Sequence, residues 1–106
     1  MSYIDDFEAS RLRLDKSMEL IEYLREQMEQ KTDEAQKELL NVEIHHIYHV
    51  AQLAHIERLV ELIPNKNLTR EFKVKLTMEI ETALNNVHMA GKWLYDELYK
   101  KWQKGL

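Results

Sequence analysis

Four of the chain's five histidines fall within residues 42–63, VEIHHIYHVAQLAHIERLVELI, beside Glu43, Glu57 and Glu61. Imidazoles and carboxylates bind zinc and iron and move protons near neutral pH, so chemistry is expected here first. On a helix, Glu43 and His46 stand at i, i+3, as do His46 and His49, while His45 and His49 stand at i, i+4. Each pair can meet across one turn. Glu43-x-x-His46 is the half-motif of di-metal carboxylate bundles, in which two helices each supply one and two further helices add a glutamate. The chain holds it once, so a complete site requires a dimer with two such helices face to face. His-Glu-x-x-His, the zincin pattern, does not occur. The default expectation is a histidine–glutamate hydrogen-bond pair in a core or interface, with no metal and no cofactor. A metal-binding bundle completed by dimerisation is the alternative.

The elements that must position these residues are helices. The one hard break is Ile63-Pro64-Asn65-Lys66-Asn67, because proline forces its predecessor out of the α region and asparagine favours turns. Before it, Ile4, Phe7, Leu14, Met18, Ile21, Leu24 and Met28 recur at three- and four-residue steps, as one buried helical face requires. Ser2 with Asp5 forms an N-cap pair, and Thr32-Asp33 followed by Gln36 offers a second N-cap. A turn near Thr32 then gives helices over roughly 4–30, 33–63 and 68–102. One uninterrupted helix up to Pro64 is the rival, since no Gly or Pro forces that turn. The expected fold is an all-α, antiparallel three-helix bundle, a single domain over 1–106, in an oligomer.

The middle helix carries more apolar surface than one stripe: Leu39, Leu40, Val42, Ile44, Ile47, Val50, Leu53, Ala54, Ile56, Val60 and Leu62 leave only a narrow polar arc. It is expected to be the centre of the bundle or to bury its surplus face against a second chain. His45, with Asn41, Tyr48 and Gln52, lies in the polar arc, and His55 at its edge, where solvation is expected. His46, His49, Glu43 and Glu57 fall in or beside the apolar arc and need partners.

The third helix has a main face of Leu68, Phe72, Leu76, Ile80, Ala83, Leu84, Val87, Leu94 and Leu98. Met78, Met89 and Trp93 fall away from it, and Trp102 extends the group toward the C-terminus. Met and Trp are enriched at binding surfaces, so these four form the expected partner interface. His88-Met-Ala-Gly-Lys92 is similar to the active helix turn of histidine-containing phosphotransfer modules. That family places Lys third and Gly fourth after the histidine, whereas here Gly91 is third and Lys92 fourth. The competing expectation is that Ala90 and Gly91 are small so that another helix can approach.

Composition narrows the function. There are no cysteines, which removes disulfides, thiolate metal sites and thiol nucleophiles. The first ten residues carry neither a basic nor an apolar targeting segment, and no apolar run could span a bilayer, so a cytoplasmic protein is expected. The net charge of −4 argues against non-specific nucleic-acid binding. It is uneven: residues 1–43 carry 12 acidic and 6 basic side chains, net −6, and residues 44–106 carry 7 and 9, net +2. With no phosphate-cradling loop, nucleophile elbow or triad order in sight, the expectation is no enzyme. What remains is a helical protein–protein interaction module, an adaptor, inhibitor or assembly factor, acting on a protein partner or a second copy of itself.

Overall fold

The computed structural model describes residues 2–105, except the side chains of 94, 95, 97, 98, 101, 102, 104 and 105. It contains three helices: α1 (Tyr3–Glu29), α2 (Glu34–Val60) and α3 (Arg70–Gly105). Their starts are set by short polar side chains. Ser2 Oγ accepts from the Asp5 amide at 3.2 Å, Asp33 Oδ1 from the Ala35 amide at 3.0 Å, and Thr69 Oγ1 from the Phe72 amide at 3.1 Å. Each satisfies an amide that the first helical turn leaves without a partner. The turn between α1 and α2 lies at 30–33, so the chain doubles back at Thr32 instead of running on as one helix. α2 stops at Val60, three residues before the expected end; 61–64 form tight turns that include Pro64, whose ring disfavours the α conformation at Ile63.

The three helices form an antiparallel bundle with α2 at its centre. α1 and α3 each pack on α2, yet among the described residues none of their Cα atoms come within 8 Å of each other. The molecule is therefore a slab of 55 × 27 × 16 Å. Its radius of gyration of 17.3 Å exceeds the roughly 13 Å of a compact domain of this length. Packing is densest at one end, where Phe7, Leu59, Leu68, Phe72 and Leu76 form one buried cluster with Tyr3, Leu62 and Ile80 against it. Phe72 packs edge-to-face with Tyr3 and Phe7 at centroid distances of 4.6 and 5.3 Å. Burying each large apolar side chain contributes about 1.5–3 kcal/mol, so this cluster is the main clamp between the flanking helices. No described helix is long and apolar enough to cross a membrane.

Candidate functional site

Just inside that cluster a chain of polar groups ties all three helices together. Arg58 Nε on α2 donates to Ser10 Oγ on α1 at 2.9 Å, Ser10 Oγ lies 2.7 Å from His55 Nδ1, and His55 Nε2 lies 3.1 Å from Glu79 Oε1 on α3. His55 is fully buried and Ser10 is 2% exposed. A guanidinium only donates and a carboxylate only accepts. His55 Nε2 therefore donates to Glu79, while Ser10 Oγ, which accepts from Arg58, also meets His55 Nδ1. Burial, and then the neighbouring Arg13, hold the Arg58 guanidinium below its ordinary pKa.

Ser–His–carboxylate is the order of a hydrolase triad, but the nitrogens are exchanged and the serine oxygen is held by Arg58. The arrangement acts as a register lock among three helices. Gln52, on the same side of α2, is also buried, and its Oε1 has no hydrogen-bond partner among the described residues.

At the other end α1 and α3 are separated by a cleft of about 370 Å³, lined by Arg25, Ile44, His45, Tyr48, Met89, Ala90 and Trp93. The rings of His45 and Trp93 stack at 3.3 Å, 8° from parallel. His45 Nδ1 lies 2.9 Å from the Asn41 carbonyl; because a carbonyl only accepts, Nδ1 carries a proton, and this bond fixes the ring against Trp93.

A third feature is the outward face of α2. Leu39, His46, Leu53 and Val60 recur at seven-residue steps with Glu43, Val50 and Glu57 between them, and all seven are exposed. This alternating spacing of three and four residues is that of a helix seam, with Leu39, Val50, Leu53 and Val60 as its apolar members.

These placements correct several expectations. His55 and Gln52, expected in solvent, are buried, and His45 is half-buried against Trp93. His46, Glu43 and Glu57, expected to need buried partners, are exposed, while His49 is half-buried. Among the described residues no three His, Asp or Glu side chains converge as a metal site would require. Of the expected interface, Met78 and Met89 are 62% and 61% exposed. Trp93 is half-buried in the cleft, and the Trp102 side chain lies outside the described residues. His88 is exposed. Ala90 is buried, and a Cβ added at Gly91 would lie 3.8 Å from His49 Cε1, an ordinary side-chain contact with α2. Ser10, Arg58 and Glu79 carried no sequence signal, since 45, 48 and 24 residues separate the bonded partners. Comparison with protein families, with characterised proteins and with solved structures finds no match to this chain.

Proposed function

We propose that the chain is a protein–protein interaction module that works through the outward seam of α2, and that the partner it pairs with is a second copy of itself. The observation that carries this reading is the exposure of the seam: Leu39 is 70% exposed, Val50 50%, Leu53 42% and Val60 45%, in register along one side of one helix. The seam is self-complementary about Val50. In an antiparallel pair Leu39 faces Val60 of the other copy, His46 faces Leu53, and Val50 faces its own equivalent, as a two-fold interface requires. Glu43 then faces Glu57, with His46 one turn from Glu43. Polar residues in a seam lower its stability and select one register.

Sedimentation equilibrium tests the proposal. The expected mass is twice the 12.8 kDa of the chain. Leu53→Glu should return it to a single chain with unchanged helicity, whereas Leu12→Glu, at a still more exposed leucine on α1, should not. A wild type that stays a single chain at about 100 µM, where even weak pairing would register, sinks the reading. So does a Leu53→Glu variant that remains paired.

A further inference from the structure

The cleft between α1 and α3 lies on the opposite side of α2 from the seam, since Ile44 and Leu53 are nine residues, or half a helical revolution, apart. Its lining is aromatic and apolar: Trp93, Tyr48, Met89, Ala90 and Ile44, with His45 stacked against Trp93. Its volume of about 370 Å³ is in the range of small-molecule sites, about 300–1,000 Å³. Among the described residues, Arg25 is its one permanently charged group and no carboxylate lines it.

Among the described residues, Arg25 forms no ion pair within 4.0 Å, although Glu22 and Glu29 stand one turn away on α1. A guanidinium left unpaired beside an aromatic wall is complementary to a planar anion. It can bind a carboxylate through two parallel N–H groups, while the ring of the same ligand packs on Trp93 and Tyr48. We propose that this cleft is a binding site for a small aromatic carboxylate, with Arg25 holding the carboxylate and the His45–Trp93 pair forming the wall for its ring.

The test uses 2-naphthoate and its neutral amide, 2-naphthamide, titrated into the full chain by calorimetry. The acid should bind about tenfold more tightly than the amide, the range of one charge-assisted contact. Arg25→Gln, at an exposed position that leaves the fold intact, should weaken the acid about tenfold and leave the amide unchanged. Trp93→Ala should weaken both. Equal binding of acid and amide to the wild type overturns the proposal, as does an Arg25→Gln variant that binds the acid normally or an absence of binding at millimolar ligand. None of these results depends on whether the seam pairs.

Discussion

The buried chain from Arg58 through Ser10 and His55 to Glu79 makes an asymmetric prediction about single residues. Ser10 serves two partners at once, accepting from Arg58 and facing His55 Nδ1. Ser10→Ala leaves a buried imidazole nitrogen and a partly buried guanidinium N–H without a partner. The expected cost is about 1–3 kcal/mol, the penalty for stranding buried polar groups. Glu79→Gln keeps an amide oxygen to accept from His55 Nε2 and loses its charge and the 3.9 Å ion pair with the exposed Arg11, at a side chain 27% exposed, so its cost should stay under about 1 kcal/mol. Urea unfolding of both variants at matched m-value decides. A Ser10→Ala variant as stable as the wild type would mean that the chain of bonds does not lock the helices. This is also the part of the molecule least legible in the sequence. Ser10 reads as one more small residue in α1, and nothing local to His55 names Glu79. The phase of α2 misleads for a related reason: apolar residues surround most of that helix, so hydrophobicity alone does not say which arc faces inward. The partners on α1 and α3 choose the arc that holds Ile44, His55 and Leu59 and leave Leu53 outside.

At the scale of elements the sequence is far more informative, because caps and breakers act locally. Ser2, Asp33 and Pro64 mark the ends of α1 and α2 to within a few residues, and the turn near Thr32 needs no glycine because Asp33 caps the next helix. Gly91 offers the sharpest test of how α3 meets α2. It sits inside a regular helix with no positive φ, where glycine is about 1 kcal/mol worse than alanine. An added Cβ would lie 3.8 Å from His49 Cε1, an ordinary van der Waals separation. Gly91→Ala should therefore stabilise the fold by about 0.5–1 kcal/mol and raise Tm by several degrees. A lower Tm would show that α2 and α3 approach more closely at this level than the distance to His49 implies, and would make Gly91 a packing requirement.

For the whole molecule, the uneven distribution of buried side chains sets a gradient of local stability. One end holds Phe7, Ser10, Gln52, His55, Leu59, Leu68, Phe72 and Leu76, all buried, whereas no residue from 22 to 43 is buried. Helix segments with few buried neighbours open at lower free energy than those in a dense core. The clamped end should open only with global unfolding; the hairpin end, where α1 turns into α2 beside the cleft, should open by local fraying. Native-state hydrogen exchange reads this directly. Amides of 6–14 and 52–60 are expected to be the slowest and to share one opening free energy, with 22–29 and 35–41 exchanging at least tenfold faster. Uniform protection along α1 would refute the gradient and require the hairpin end to be held by contacts beyond one folded copy. Because the seam runs along α2 from Leu39 to Val60, pairing of two copies should slow exchange most at its Leu39 end. The gradient should accordingly be steeper in Leu53→Glu than in the wild type, which connects the packing of one chain to its association with another.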